Sequence, residues 1–207
     1  MERIAILTDV LAFAPCQRVI SRAVVEQGRQ ALRVELQHGL GPEAMFQKPT
    51  FVITSTALSD GIVEVDILAR RSRGALPASQ ASAGIAFRIN GSARAFEAVY
   101  LCPVNGRPMK PRASLDRQAV KYFAYPEHLH APTGGGSLAG SSEAGADIRP
   151  DSWIGLKLEI NGPSVKTFVE GKLVLEVQGN VPPTKGAIGL WVDIGTEAYF
   201  SNFHVTA

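Results

Sequence analysis

The sequence lacks most of the features that place a protein quickly in a functional class. It has only two cysteines, Cys16 and Cys102, in no Cys/His spacing typical of zinc. They either form a disulfide or stay as two unpaired thiols. No apolar run is long enough to span a membrane, and no long basic run could follow a nucleic-acid backbone. We therefore expect neither nucleic acid nor a membrane as a partner.

The start of the chain gives little sign of export. An apolar stretch is present there, but Glu2 and Asp9 make it a poor secretion signal. We expect a soluble, cytoplasmic protein, and secretion is the alternative if a leader has been lost.

Helical periodicity is absent from every long segment, whereas the 45% hydrophobic content is enough to build one core. The residues expected in strands alternate between apolar and polar side chains, and turn residues follow about every ten positions. Gly28 predicts a hairpin turn and Asn90-Gly91 another, and residues 4–7 are either a short strand or a poorly ordered lead-in. This pattern predicts a single all-β domain over 1–207, a two-sheet antiparallel jelly-roll sandwich. Residues 1–17 form a lead-in, and residues 127–151 form a long loop rich in Gly and Ser that could act as a lid.

The clearest alternation lies between Asp60 and Tyr100. There Val63, Val65 and Ile67 share one strand face, and Glu64 and Asp66 share the other. In the following strand, Ile85, Phe87 and Ile89 alternate with Arg88. If the apolar faces are buried, Glu64, Asp66, Arg88 and Tyr100 should stand together on one open sheet surface.

Several stretches carry a family resemblance, namely 60–66, 84–88, 96–103, 153–160, 168–172, 186–192 and 197–203. In this order they resemble the concanavalin A-like jelly rolls, in particular the bacterial laminin-G-like domains of the 3-keto-disaccharide hydrolase-like group and relatives of the laminarinase-type glycoside hydrolases. The resemblance covers about residues 20–207. It implies two packed antiparallel sheets, with sugars or other small polar ligands bound on the concave face.

Four residues are candidates for ligand binding on that face. The planar guanidinium of Arg88 could hold a carboxylate or hydroxyls, and the rings of Tyr100, Tyr122 and Trp191 could stack on a sugar. The alternatives are a salt bridge from Arg88 to Glu64 or Asp66, and a core position for Trp191.

Glu64 and Asp66 are also candidate catalytic groups. They stand two residues apart on a strand, and this spacing places their Cα atoms roughly 6 to 7 Å apart. The laminarinase-type pattern requires a further acid, but Leu68 or Ala69 stands at that position. Hydrolysis by that mechanism is therefore disfavoured. Two other interpretations are open: one of the two carboxylates acts as a general base, or both are solvent-exposed residues without a catalytic role.

Two weaker candidates lie in loops. His128, beside Glu127 and His130, could act as an acid or base, or be a surface residue. Asp193 and Glu197 flank a turn and could bind calcium through their carboxylates, although such a turn needs no ion.

Three functional hypotheses follow. The first is binding of a small polar ligand, above all a carbohydrate, on the concave face, with hydrolytic activity left open. The second is a small-molecule biosynthetic enzyme that uses Glu64 or Asp66 as general base on the same face. The third is a structural or oligomerisation domain, for instance a homodimer packed through the open sheet.

Overall fold

A computed structural model describes residues 13–15, 18–37, 50–107, 118–126, 142–179 and 184–207. Apart from one short 3-10 turn at Pro103–Asn105, the regular structure in these ranges is entirely β. The strands are β1 (Phe13–Pro15), β2 (Val19–Glu26), β3 (Arg29–Leu36), β4 (Phe51–Leu58), β5 (Gly61–Arg71), β6 (Ala83–Ile89), β7 (Phe96–Leu101), β8 (Val120–Tyr125), β9 (Glu143–Ala144), β10 (Trp153–Asn161), β11 (Ser164–Val169), β12 (Lys172–Gln178), β13 (Gly186–Val192) and β14 (Thr196–Thr206).

The strands form two seven-stranded sheets. The first sheet has the order β1-β4-β13-β6-β7-β8-β9, and the second has the order β12-β11-β10-β5-β14-β3-β2. Every pairing is antiparallel. The predicted two-sheet antiparallel sandwich is confirmed.

The core lies between the sheets and follows from the alternation in the sequence. Val63, Val65 and Ile67 of β5 are at most 2% exposed and meet Ile85 and Phe87 of β6 in one cluster. Residues at the intervening positions of β5, Glu64 and Asp66, are absent from that cluster and point away from it. Burial of the apolar side chains stabilises the sandwich by about 25 cal/mol for each Å² removed from water.

Short turns set the pairing of neighbouring strands. Gln27 and Gly28 both have positive φ and connect β2 to β3, as the predicted hairpin requires. Between β6 and β7, the side chain of Asn90 accepts hydrogen bonds from the backbone N–H groups of Arg94 and Ala95. The predicted turn at Asn90 is thus confirmed, and it brings β7 alongside β6.

The structure corrects one face assignment. Ile85 and Phe87 face the core, but Ile89 packs on the opposite side of the sheet, because β6 carries a bulge. Arg88 sits in the bulge with a φ of +51°, in the left-handed region. The extra residue reverses the alternation from this point onward.

The loop expected over 127–151 falls only partly within the described residues. Positions 127–141 lie outside them, as does the possible strand near Ile4. Within the described part, Glu143 and Ala144 form β9 and pair with β8. A two-residue edge strand therefore interrupts this end of the segment, and residues 145–151 belong to no strand.

Two further findings concern the membrane and the cysteines. In the part of the chain that the structure describes, no helix has the length and apolar character needed to cross a membrane. Cys102 is a free, buried thiol that lies 3.4 Å from the hydroxyl of Ser82.

Candidate functional site

The structure divides the four residues that were expected on one surface. Glu64 and Asp66 belong to β5 in the second sheet, and Arg88 and Tyr100 belong to β6 and β7 in the first. The prediction of one shared face is wrong, because β5 and β6 are consecutive in the chain but join different sheets. Two separate outward faces must therefore be considered.

Arg88 lies between the sheets. Its side chain is 2% exposed, and its Nη1 donates to Oε1 of Glu97, which is 1% exposed, over 2.8 Å. Its Nη2 donates to the carbonyl oxygen of Gly162, in the turn between β10 and β11 of the other sheet. The salt bridge considered for Arg88 exists, but its partner is Glu97 and not Glu64 or Asp66.

Tyr122 is part of the same buried cluster and not of an outward platform. Its hydroxyl donates to Oε2 of Glu97 over 2.7 Å. Burial raises the pKa of Tyr122, and the negative charge of Glu97 raises it further. The residue that faces outward on β8 is its neighbour Phe123, which sequence reasoning missed. The signal was present, since Val120 has the same parity as Tyr122 and is a core residue.

Tyr100 and Trp191 do lie together, on the outer side of the first sheet. Their ring centroids are 4.7 Å apart, and Phe123 lies 5.7 Å from each of them. We call this side of the first sheet the aromatic face; it also carries Tyr125 and the buried rings of Phe51 and Phe96. Trp191 lies on the side of the sheet away from the inter-sheet core, but its side chain is only 2% exposed and belongs to a second buried cluster, which matches its alternative core position. Tyr100, Phe123 and Tyr125 remain partly exposed.

A glycine allows the two central rings to meet. Gly84 of β6 lies between Tyr100 and Trp191 in the sheet and is paired with both. A Cβ atom at this position would lie 2.1 Å from the carbonyl oxygen of Val99 and 2.5 Å from Cα of Tyr100. Any side chain here would collide with β7. The position between Tyr100 and Trp191 therefore has no side chain, and the two rings can come into contact over it.

Charged groups border the aromatic face next to Tyr100. Lys121 is its cross-strand partner on β8, and Nζ of Lys121 lies 3.0 Å from Oε1 of Glu143 on β9. Burial is the largest cause that raises the pKa of Tyr100, and the charges of Asp193 and Glu143 contribute to the same shift. The aromatic face thus combines aromatic rings with charged side chains at its edge.

Glu64 and Asp66 line a depression on the outer side of the second sheet. Its volume is about 480 Å³. We call it the polar depression; its lining includes Glu64, Asp66, Gly155, Lys157, Gly171, Asn202 and His204. Asp66 accepts hydrogen bonds from Nη1 of Arg29 at 2.9 Å and from Nδ2 of Asn202 at 2.7 Å.

A second bulge brings Asn202 and His204 to this place. Phe200 and Phe203 both face the core although they are three residues apart, and the pairing of β14 with β5 shifts between Ser201 and His204. Asn202 has a φ of +49° and directs its amide to Asp66. The spacing of the two phenylalanines was a sequence signal for this bulge, because strict alternation cannot bury both.

The carboxylate of Glu197 is held by other side chains. It accepts hydrogen bonds from Arg33, Arg70 and Tyr199. Burial tends to raise the pKa of Glu197, but the bonds from Tyr199 and Arg70 and the charge of Arg33 outweigh it, so the pKa lies below its usual range.

Calcium at Asp193 and Glu197 would have to compete with these contacts, and it stays a prediction. Within the described ranges, no group of three or more His, Cys, Asp or Glu side chains is arranged to hold a metal ion. His128, the remaining candidate, lies outside the described residues.

Comparison with solved structures places the fold among known sandwiches. The carbohydrate-binding module CBM66 from Bacillus subtilis is 17% identical, with a TM-score of 0.62 over 93% of each chain. The β-glucanase of Bacillus licheniformis is 12% identical, with a TM-score of 0.54 over 100% of this chain and 99% of that one. A Bacillus subtilis protein of unknown function with a galectin-like fold is 13% identical, with a TM-score of 0.55 over 99% of this chain and 94% of that one. At these identities the likeness concerns the fold alone.

A search of curated proteins finds no match to the sequence. The model of one family, however, matches residues 21–206 and thus nearly the whole chain. The motif resemblance described above is thereby confirmed, and the chain belongs to the family of 3-keto-alpha-glucoside-1,2-lyase-like domains.

Proposed function

We propose that this protein binds a carbohydrate on the aromatic face of its first sheet. The observation that carries the proposal is the contact of Tyr100, Trp191 and Phe123 on the side of the first sheet away from the inter-sheet core, where Tyr100 and Phe123 remain partly exposed. The outer side of an antiparallel sheet usually faces water and is polar. A cluster of rings there is typical of a ligand-binding surface.

The chemistry of the face suits a sugar. The C–H side of a pyranose ring is apolar and packs against an aromatic ring, whereas its hydroxyls require hydrogen-bond partners at the edge. Lys121, Glu143 and Asp193 supply a donor and two acceptors next to Tyr100. The partly exposed rings of Tyr100 and Phe123 are the contact surface, and Trp191 supports them from below.

The comparisons support the same class of ligand. The family takes its name from chemistry on a glucoside, and the neighbour with a TM-score of 0.62 is named as a carbohydrate-binding module. We therefore favour binding over hydrolysis. Glu64 and Asp66, the predicted catalytic pair, lie on the other sheet and cannot reach a ligand that is held at Tyr100.

A thermal-shift screen against mono- and oligosaccharides tests the proposal, because a ligand that binds only the folded state raises the melting temperature. The active sugar is then titrated calorimetrically against the wild type and against Tyr100→Leu and Phe123→Leu. Each leucine keeps apolar volume but removes a ring, so we expect affinity to fall about threefold to tenfold.

Phe168→Leu is the matched control, since Phe168 is a half-buried ring on the outer side of the second sheet. It should leave sugar affinity unchanged. The proposal is wrong if no sugar shifts the melting temperature, or if Phe168→Leu weakens binding as much as Tyr100→Leu does.

A further inference from the structure

We propose that the polar depression of the second sheet is a separate site for a small polyhydroxylated ligand that carries an ammonium group. The depression lies on the opposite side of the sandwich from the aromatic face. Its occupation therefore does not depend on the function proposed above, and variants on the two faces distinguish the two sites.

Glu64 is the group that attracts the ligand. It is an exposed residue in the lining of the depression and makes no hydrogen bond or ion pair with any residue that the structure describes. Its cross-strand neighbours are Lys157 on one side and His204 on the other. A carboxylate is an acceptor only, so its natural partners are ammonium and hydroxyl groups.

The nearby cations are already engaged. Nζ of Lys157 donates to Oε1 of Glu159 over 2.7 Å and lies 4.1 Å from the ring centroid of Phe168. Arg29 is paired with Asp66. The charge of Glu64 thus lacks a matching cation in the described structure, which favours a positively charged ligand over an anionic one.

The shape of the depression depends on a residue without a side chain. Gly155 is paired with Asp66, and a Cβ atom added to it would lie 3.6 Å from Oε1 of Glu170 and 3.7 Å from Oδ1 of Asp66. Both are ordinary contact distances, so a small side chain fits there without moving the backbone. Glycine leaves this space open beside Glu64.

One further polar group suits hydroxyls. Asn202, placed by the bulge in β14, donates its amide to Asp66 and adds its own carbonyl oxygen to the same wall.

Glucosamine is a suitable probe, and glucose is its neutral counterpart. Both are titrated into the isotope-labelled protein while backbone amide resonances are recorded. We expect glucosamine, and not glucose, to shift the amides of Gly155 and Gly171 in a saturable way. Glu64→Gln removes the charge at constant shape and should weaken binding about tenfold, as expected for a hydrogen bond to a charged group.

Gly155→Val provides a second test that does not involve charge. Valine suits a strand and fills the depression, so the variant should fold normally and lose the glucosamine response. Tyr100→Leu should keep it. An absent or equal response to the two sugars, or saturable binding that survives Gly155→Val, would overturn the proposal. Shifts centred on Tyr100 and Trp191 would overturn it too, since they assign glucosamine to the aromatic face.

Discussion

Arg88 and Glu97 form an ion pair inside the sandwich, with 2.8 Å between Nη1 and Oε1 and side chains that are 2% and 1% exposed. The pair connects β6 to β7, and Arg88 also reaches the turn at Gly162 in the opposite sheet. It therefore holds the two sheets together at one end of the molecule.

Glu97→Gln should destabilise the protein strongly, because it leaves the guanidinium of Arg88 buried without a counter-charge. Loss of one partner of a buried pair typically costs about 3 to 5 kcal/mol. Urea unfolding followed by tryptophan fluorescence measures the change. The control is Glu159→Gln, which breaks the pair between Lys157 and Glu159, whose side chains are 30% and 37% exposed. That change should cost less than about 1 kcal/mol, and equal losses in the two variants would contradict the argument.

Tyr122→Phe tests the third member of the buried cluster. The variant keeps the ring but removes the hydroxyl that donates to Glu97 over 2.7 Å. Since the acceptor is charged and buried, we expect a loss of about 1.5 to 3 kcal/mol in the free energy of unfolding. Sugar binding at the aromatic face should be unaffected. Weaker sugar binding in Tyr122→Phe would instead indicate that Tyr122 contacts the ligand.

Gly84→Ala should be destabilising although alanine is a small residue. The added Cβ would lie 2.1 Å from the backbone oxygen of Val99, and backbone cannot move aside cheaply. Overpacking of this kind costs about 1 to 3 kcal/mol or more. The melting temperature of Gly84→Ala, compared with that of Gly155→Ala, checks this. A Cβ atom at Gly155 would have its nearest contact at 3.6 Å, with Oε1 of Glu170. The melting temperature of Gly155→Ala should therefore stay within a few degrees of that of the wild type. A similar fall in melting temperature in both variants would contradict the argument, because replacing any strand glycine would then be destabilising regardless of the space around it.

The bonds to Glu197 should make stability depend on pH in acid. Its pKa in the folded state lies below its ordinary value, because bonds from Tyr199 and Arg70 outweigh the effect of burial. The carboxylate is then the stabilising form, so its contribution is complete above the unfolded pKa of about 4.3 and is lost as the pH falls through the folded pKa. Glu197→Gln should lower the free energy of unfolding at neutral pH and have a smaller effect in strong acid. A difference between variant and wild type that is the same at both pH values would refute this.

Much of the fold follows from local pattern. Alternation identified the core face of β5, the dipeptides at Gly28 and Asn90 identified the hairpin turns, and the ordered motifs led to the correct family. These features depend on interactions between residues that are close in sequence. Side chains two apart on a strand necessarily share a face, and a glycine in a turn is required by its backbone conformation.

Tertiary structure decided which faces belong together. β5 and β6 follow each other in the chain but enter different sheets, which separates Glu64 from Tyr100. The bulges at Arg88 and Asn202 then reverse the alternation, so that Arg88 turns inward to Glu97 and Asn202 turns outward to Asp66. Strand pairing and bulges are determined by packing between residues that are distant in sequence. For that reason the alternation of a single strand predicts which residues share a side, and only the assembled sandwich determines what that side meets.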